Sequence, residues 1–373
     1  MKKIAVLTSG GDCSGLNAVI EAVVRGGIKE GYEIIGFERG YDGLLSNDYI
    51  KLDERSVMDL SRKGGSIIRN SNKTNLFNFR VKKDDGTYEY KDVSDIAVKN
   101  LREDDVECLV VVGGDGSMTS ARDFMRKGIN VVCVPKTIDN DVPYTDRSFG
   151  YTTAYFHIAD AVQSLKTTAY SHERVMVLEV MGRQAGWLAL EGGIGGNADA
   201  ILLPEINYEV EKIVAFLKER FEKGYRSSVI VVSEGAHERG KEQVAFIDKN
   251  YPDAVKLGGV GAILAKQIEE KLKPITGQEV RNTNLAYVQR GGDTNVNDIV
   301  LGFRYGALAI RAIKNKDYGK MVAVKGGEDT FVPITDIVGN GPVGETSTGG
   351  AHNVELDCPL IKCAKELGIY LGE

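Results

Sequence analysis

The sequence predicts an α/β protein built on mainly parallel sheets. Short apolar runs alternate with segments of helical period along most of the 373 residues, and this alternation is typical of parallel strands covered by helices on both faces. Glycine is abundant, with 44 residues against 8 prolines, which indicates tight turns and close backbone approach to ligands. At roughly 100–200 residues per domain, the length predicts two or three domains.

The elements follow one another in a regular order. The chain opens with a strand at Ile4–Leu7, a glycine loop and a helix at Leu16–Ile28, in which the apolar residues recur at helical spacing. Further strands are predicted at Tyr32–Phe37, Cys108–Val112, Ile129–Val134, Arg174–Val180, Ala200–Leu203, Ser227–Ser233 and Asn284–Val288. Helices are predicted between them at Met118–Lys127, Tyr151–Ser164, Gln184–Gly192, Glu209–Glu222 and Gly258–Lys271.

Two segments depart from this alternation. Arg80–Val93 contains Asp-Gly between alternating residues, which predicts a surface hairpin. The segment from Val338 to the last residue has glycine and threonine clusters, followed by an amphipathic stretch at Pro359–Leu367. This tail either adds an interface or covers a sheet.

Composition excludes several classes of protein. The net charge of −6 argues against general affinity for nucleic acid, which requires a basic face. No apolar run approaches the 18 residues of a membrane span, and the N-terminal apolar run is too short for a signal peptide. The 5 cysteines are scattered, so we expect reduced thiols in a cytoplasmic protein.

Two glycine loops lie between a predicted strand and a helix. Gly10, Gly11 and Gly15 form the first, where backbone amides and a helix N-terminus suit a phosphate group, although such turns also serve packing alone. The second loop is GGDGS at 113–117. Its Asp115 either binds Mg²⁺ beside a phosphate or caps the following helix.

A third polar segment follows the strand predicted at Ile129–Val134. Asp139 and Asp141 stand two residues apart, so that one can accept a proton while the other orients a partner, and Lys136 and Thr137 can contact a transferring phosphoryl group. The alternative is a polar turn.

Arginines recur at the ends of predicted strands. Arg174, Arg183, Arg281 and Arg290 each suit bidentate phosphate binding, and together they suggest a separate sugar-phosphate pocket. Taken singly, each is more often part of a surface ion pair.

The motifs LTSGGD, GGDGS, PKTIDND, SHERVMVLEVMGR, VSEGA and VQRGG occur in this order from Lys3 to about Ala323. Together they resemble the 6-phosphofructokinase family. The resemblance implies two similar three-layer α/β domains of phosphofructokinase-like architecture. The donor domain would comprise residues 1–150 and about 289–325, and the sugar-phosphate domain 151–288 and about 326–373.

The resemblance also implies roles for individual residues. Asp139 would be the general base, with Thr137 and Asp141 beside it, and Arg183 would stabilise the transition state together with Lys136. Mg²⁺ would bind at Asp115. The donor would be held by Gly11, Tyr41, Gly114, Asp115, Gly116 and Ser117. The sugar phosphate would be held by Met181, Gly182, Glu234, Arg290 and, from a neighbouring subunit, Arg174 and Arg281.

The sequence departs from the family pattern at four places, one of which concerns the effector site, where Glu21 and Tyr225 stand in place of basic residues. The family segment GGT-[IF]-LG-[ST]-S-R is here GGSIIRNSNK at 64–73, so the donor-phosphate arginine is displaced and either Lys73 or Arg69 would replace it. Tyr287 stands where a histidine is common, and its hydroxyl can also donate to phosphate. Lys136 stands where short ATP-specific bacterial enzymes carry glycine.

The resemblance implies phosphorylation of fructose 6-phosphate at the 1-hydroxyl by Mg–ATP, in a homotetramer or dimer with shared sites. Glycine at 116 leaves room for the α-phosphate of ATP, whereas Lys136 and the tail resemble the mixed group that includes pyrophosphate-dependent members. Pyrophosphate is therefore the alternative donor. Two other hypotheses are an NAD-kinase-like or lipid-kinase-like enzyme with a GGDGS loop, and a non-catalytic metabolite sensor.

Overall fold

The computed structural model describes residues 2–72, 74–248, 251–345 and 350–373. The chain divides into two compact units. The first comprises Met1–Ile138, Val142–Thr152 and Arg290–Gly350, and the second comprises Asp139–Asp141, Thr153–Gln289 and Ala351–Glu373.

The strands are numbered in chain order. They are β1 Lys3–Thr8, β2 Glu33–Phe37, β3 Tyr49–Leu52, β4 Phe79–Lys82, β5 Tyr88–Lys91, β6 Val106–Gly113, β7 Val131–Pro135, β8 Val175–Val180, β9 Ala200–Leu202, β10 Ser228–Ser233, β11 Ala245–Asp248, β12 Tyr251–Leu257, β13 Val280–Asn284, β14 Lys320–Lys325 and β15 Glu328–Pro333.

The helices are α1 Leu16–Lys29, α2 Tyr41–Ser46, α3 Ser94–Glu103, α4 Asp115–Arg126, α5 Tyr151–His172, α6 Trp187–Gly195, α7 Val210–Glu222, α8 Val260–Thr276, α9 Val296–Lys314, α10 Ile334–Val338 and α11 Pro359–Glu366, with a 3-10 helix at Ala286–Arg290. Within the described ranges, no helix is both long and apolar enough to cross a membrane.

The first unit contains a sheet in the order β15-β14-β7-β6-β1-β2-β3. Neighbours from β14 to β2 run parallel, and the edge strands β15 and β3 pair antiparallel. Because parallel strands end at the same edge, the loops that follow β1, β6 and β7 lie at one edge of the sheet.

Helices cover both faces of this sheet, as its continuous apolar strands require. Residues Cys108–Val112 of β6 are completely buried. On one face, α1 and α9 approach so closely that a Cβ atom at Gly306 would lie 2.6 Å from Ala22 Cβ. On the other face, α4 buries Met118 and Phe124 against alternate strand residues.

The second unit contains a parallel sheet in the order β13-β8-β10-β9. Its apolar strand residues pack on one face against α7 and α8, including Ile213 and Leu264. On the opposite face α6 lies close, because a Cβ atom at Gly193 would stand 2.6 Å from Ile201 Cδ1. Together the two units confirm the predicted α/β architecture with mainly parallel sheets.

The predicted surface hairpin at 80–93 is confirmed as the antiparallel pair β4–β5. One predicted strand is wrong. Asn284–Val288 was expected to be a strand, whereas β13 is Val280–Asn284 and the chain then turns through a 3-10 helix. The reason is that β13 is an edge strand with only Val280 buried, so its sequence lacks the apolar run of the inner strands.

The tail contributes to both units. Residues 326–350 were expected in the second domain. The described part of this segment up to residue 345 lies in the first unit, where β15 pairs with β14 and α10 packs on α4. Residues Ala351–Glu373 belong to the second unit, where α11 covers α6 and the Tyr370 backbone pairs with Ala200 in β9.

Candidate active site

The first glycine loop follows β1 and leads into α1. Gly10 and Gly15 have φ of 84° and 97°, in the left-handed region that favours glycine. The Ser9 amide donates to the Val112 carbonyl at 2.9 Å, and the Gly10 amide donates to the Ser71 carbonyl at 3.0 Å. The loop is thus fastened at the carboxyl edge of the sheet, where the N-terminus of α1 favours an anion.

Two cations from distant parts of the sequence lie on this loop. Lys136 Nζ donates to the Gly11 carbonyl at 2.5 Å, and Arg290 Nη1 donates to the Asp12 carbonyl at 3.3 Å. A Cβ atom at Gly11 would lie 1.7 Å from Arg290 Nη1, so only glycine allows this approach. The structure therefore brings Gly11, Lys136 and Arg290 together within the first unit.

The second glycine loop joins β6 to α4. Gly114 is the N-cap of the helix, and Asp115 is its first residue. Asp115 is therefore not the N-cap residue of α4, although its Oδ1 accepts the Gly116 amide of the first turn at 2.7 Å. Asp115 is exposed, which leaves its carboxylate accessible to a cation.

Tyr41 supports the second loop from beneath. It is 2% exposed, it stacks on Phe124, and its hydroxyl donates to the Ser117 carbonyl at 2.9 Å. Burial raises the pKa of Tyr41 well above its ordinary value, so the hydroxyl stays protonated and keeps donating. We therefore expect Tyr41 to act by positioning Ser117 rather than by touching a donor.

A cavity of about 390 Å³ opens beside the first loop. It is lined by Gly10, Gly11, Asp12, Gly65, Ser66, Arg69, Asn70 and Asn72. All of these residues belong to the first unit.

Arg69 is the cation on the wall of this cavity. Its backbone is held in place, since Thr8 Oγ1 donates to the Arg69 carbonyl at 2.7 Å and the Arg69 amide donates to the Ser66 carbonyl at 3.0 Å. Its guanidinium is exposed, with Nε 3.8 Å from a Glu38 carboxylate oxygen. Lys73, the other candidate for this role, lies outside the described residues.

The polar segment after β7, residues 136–141, is called the acidic segment below. It begins in the first unit and ends in the second. Lys136 and Thr137 belong to the first unit, and Asp139 and Asp141 belong to the second. The Thr137 carbonyl accepts the Ser148 hydroxyl at 2.7 Å. Asp139 is only 6% exposed, and Asn140 beside it has φ of 55°, a conformation that asparagine adopts more readily than most residues.

Arg183 follows β8 on a tightly packed turn. Its amide donates to Glu234 Oε1 at 3.2 Å, and a Cβ atom at Gly235 would lie 1.7 Å from the Arg183 carbonyl oxygen. Gly182 and Arg183 both have positive φ, of 141° and 47°. The turn directs the Arg183 side chain to solvent, and Gly182, Arg183 and Glu234 are brought together as predicted for one site.

Gln289 was missed by the sequence analysis. It is fully buried, its Oε1 accepts the Met181 amide at 3.3 Å, and its Nε2 donates to the Ala286 carbonyl at 2.9 Å. It therefore fixes the loop of Met181 against the 3-10 helix. Its position directly before the arginine of the QRGG motif could have identified it as a residue of the site.

Two further predicted arginines share one carboxylate. Arg174 Nη2 and Arg281 Nη2 lie 2.8 Å and 2.9 Å from Glu279 Oε2. The hydrogen bond from Arg174 and the charge of Arg281 lower the pKa of Glu279, so it is ionised at neutral pH. Arg174 and Arg281 thus form one cluster in the second unit, whereas Arg290 lies on the first glycine loop, not with them.

Tyr287 lies on the 3-10 helix and is 70% exposed.

A metal site is not preformed in the described part of the chain, where no group of three or more His, Cys, Asp or Glu side chains converges. Mg²⁺ commonly binds through one or two carboxylates plus substrate phosphates and water, so the single exposed Asp115 fits a cation that arrives with a phosphorylated donor.

Comparison with known proteins gives consistent results. A family model described as phosphofructokinase matches residues 3–313. The chain is 48% identical over 375 aligned residues to "ATP-dependent 6-phosphofructokinase 2" of Clostridium perfringens, covering 100% of this chain and 99% of the relative. It is 42% identical to "Pyrophosphate--fructose 6-phosphate 1-phosphotransferase" of Amycolatopsis methanolica, covering 90% and 94% of the two chains.

Among solved structures, a pyrophosphate-dependent phosphofructokinase from Nitrosospira multiformis superposes with a TM-score of 0.79. It covers 100% of this chain and 93% of that one at 19% identity, so this likeness bears on the fold alone.

Proposed function

The chain belongs to the phosphofructokinase family, and we propose that it transfers the γ-phosphoryl group of ATP to the 1-hydroxyl of fructose 6-phosphate. The observation that carries this proposal is the 48% identity, over the full length, to a relative named as an ATP-dependent 6-phosphofructokinase. The family match argues against the NAD-kinase and lipid-kinase alternatives. The name of that relative, and the presence of Asp115, Asp139 and Arg183, argue against a non-catalytic sensor.

We assign the proton transfer to Asp139. Its carboxylate would accept the proton of the sugar 1-hydroxyl while the hydroxyl oxygen attacks the γ-phosphorus in line and the bond to the leaving phosphate breaks. Lys136 and Arg183 would neutralise charge on the moving group, and Thr137 would contact it. Asp115 would hold Mg²⁺, which when bound neutralises the charge of the donor phosphates.

For the donor phosphates, we propose Arg69 as the cation that replaces the displaced family arginine. Its guanidinium lies at the wall of the cavity beside Gly10 and Gly11, and its contact with Glu38 is long, at 3.8 Å. A phosphate oxygen can therefore compete for it. Gly11 and Gly114–Ser117 would supply backbone amides.

Pyrophosphate is the second candidate donor. Lys136 and the tail resemble the mixed ATP/pyrophosphate group, and the relative from Amycolatopsis methanolica is named for pyrophosphate. The Lys136 ammonium lies on the first glycine loop, where it would favour the phosphates of either donor. We prefer ATP because Gly116 has open space around its Cβ position, which leaves room for an α-phosphate.

The sugar phosphate would be held by arginines from two chains. We propose that Arg174 and Arg281 reach the 6-phosphate of a neighbouring subunit, in a homotetramer or dimer, and that Met181, Gly182 and Glu234 contact the sugar. Tyr287 would donate its hydroxyl to the 6-phosphate. Arg290 would have to leave the Asp12 carbonyl to join them.

We place the enzyme in the cytoplasm, where free cysteines such as those of this chain persist.

Replacing Asp139 tests the assignment of the base. We expect Asp139→Ser to lower kcat by ~10²–10⁴-fold while KM for fructose 6-phosphate changes little, because general-base catalysis contributes that much. The measurement is a coupled assay with fructose 6-phosphate and each donor.

The control is Asp141→Ser, which removes the neighbouring carboxylate. An unchanged kcat in Asp139→Ser would refute the base assignment. A wild-type protein that phosphorylates fructose 6-phosphate with neither donor would refute the proposed function.

A further inference from the structure

Residue 352 connects the C-terminal segment to the acidic segment. The His352 amide donates to the Asp141 carbonyl at 2.8 Å, and the His352 carbonyl accepts the indole Nε1–H of Trp187 at 2.7 Å. All three residues belong to the second unit. A single peptide segment of the tail therefore bridges the acidic segment and the start of α6.

The His352 side chain repeats this connection. Its Nδ1 lies 3.4 Å from the Asn140 carbonyl oxygen, and its ring lies 5.0 Å from the indole ring of Trp187, tilted by 34°. A carbonyl only accepts hydrogen bonds, so Nδ1 carries the proton in this contact. The carbonyls of Asn140 and Asp141 thus both accept hydrogen bonds from His352.

A second contact holds the tail at the same place. Glu205 Oε1 accepts the Val354 amide at 2.8 Å and the Gly186 amide at 2.9 Å. Gly186 precedes Trp187 in the sequence, so the tail is fastened to this short stretch at two points. Residues 352 and 354 therefore both connect the tail to the start of α6.

The residues so connected flank the two groups assigned to catalysis. Asn140 follows Asp139 directly, and Trp187 begins α6 four residues after Arg183. Asn140 and Arg183 have φ of 55° and 47°, conformations that persist only where surrounding contacts impose them. Residue 352 contributes contacts of this kind at the carbonyls of Asn140 and Asp141.

We infer that His352 and Trp187 are positioning residues for phosphoryl transfer, which hold the carbonyls of Asn140 and Asp141 and thereby the Asp139 carboxylate. This inference rests on the proposed function. It gives the tail a part in the active site, although the tail lies more than 200 residues from the acidic segment in sequence.

Paired substitutions test the inference. Trp187→Phe keeps an aromatic ring but removes the indole N–H, and His352→Phe keeps a ring but removes Nδ1. We expect each to lower kcat by roughly 10-fold to 100-fold, the loss typical of a small misplacement of catalytic groups, while KM for both substrates stays within about twofold. His352→Asn, whose amide can replace Nδ1, should recover most of kcat.

Two readouts separate positioning from simple loss of stability. Trp187 is the single tryptophan, so its fluorescence reports on this contact, and His352→Ala should change the emission while far-UV circular dichroism stays the same. His172→Asn, an exposed histidine of α5, is the matched control and should leave kcat and emission unchanged.

The inference is overturned if Trp187→Phe and His352→Phe retain the wild-type kcat. It is also overturned if kcat falls only together with the melting temperature and His352→Asn gives no recovery, since that pattern means a purely structural role. Failure of the proposed function itself would be seen earlier, as a wild-type protein that does not phosphorylate fructose 6-phosphate.

Discussion

Gly116 is the residue on which the choice of donor depends most directly. A Cβ atom at this position would meet nothing within 4 Å, so an aspartate fits the fold and its effect would be electrostatic. Two unit charges about 4 Å apart interact with about 4 kcal/mol at an effective dielectric constant of about 20. We therefore expect Gly116→Asp to lower kcat/KM for ATP roughly 10²–10³-fold and to affect pyrophosphate use far less.

Gly116→Asn is the matched control, because it has the same shape without the charge. Steady-state kinetics of the wild type and both variants with each donor provide the measurement. A wild-type preference for pyrophosphate would reverse the donor assignment. Equal losses in the Asn and Asp variants would mean that space, not charge, excludes the side chain.

Single residues were predictable from sequence when their role depends on side-chain chemistry at a strand end. The glycine loops, Lys136 and Asp139 could be found in this way, because parallel strands bring their ends to one edge. Gln289 and His352 could not, because they act through backbone amides and carbonyls whose partners lie far away in sequence. No side-chain motif identifies such partners.

Among the helices, α8 shows how a buried carboxylate organises an N-terminus. Glu179 is 2% exposed, its Oε1 accepts the Gly259 amide and Asn284 Nδ2, and its Oε2 accepts the Gly261 amide. A glutamine would replace one accepting oxygen by a donor. We expect Glu179→Gln to reduce the free energy of unfolding by about 1–3 kcal/mol, because a buried donor loses its acceptor.

Urea unfolding followed by circular dichroism measures this change. Glu222→Gln is the control, because Glu222 is exposed at the end of α7 and such surface substitutions stay within about 0.5 kcal/mol. An unchanged midpoint in Glu179→Gln would show that the amide serves α8 as well as the carboxylate does.

Most inner strands were predictable because they are apolar on both faces, although the inner strand β14 and the long helix α9 were not among the predicted elements. β6 and β10 are buried along most of their lengths and produce the runs that identify parallel strands. β13 is different. Its polar sequence reflects its position at the edge of the sheet. The strand was therefore predicted at Asn284–Val288, which contains the neighbouring apolar residues, four residues beyond its actual position.

The sequence does not predict the place of the tail, because the contacts of the tail are polar and its partners are distant in the chain. In the first unit, the buried Arg122 donates to the carbonyls of Val338, Gly339 and Pro342, and Asp123 accepts the Gly344 amide at 2.9 Å. In the second unit, the His352 backbone amide donates to the Asp141 carbonyl. The tail is thus bonded within each unit, which no periodicity in its sequence predicts.

The assembly of the whole protein determines whether its sites are complete. Arg174 and Arg281 form one partly exposed cluster around Glu279. If these arginines serve a neighbouring chain, each site combines Asp139 of one subunit with Arg281 of another. Two defective chains would then complement each other, because a hybrid assembly contains a site in which both residues are intact.

We expect Arg281→Ala and Asp139→Ser each to be strongly impaired at low fructose 6-phosphate, and a co-expressed mixture to regain activity. With random pairing across two-fold interfaces, half of the pairs are hybrid and each holds one intact site, so roughly a quarter of the wild-type activity should return. Purification through two different tags isolates the hybrids, and sedimentation defines their size.

The control pairs Asp139→Ser with a chain carrying both substitutions, which cannot form an intact site. Hybrids that assemble but stay inactive, or an active monomer, would place Arg281 outside its neighbour's site.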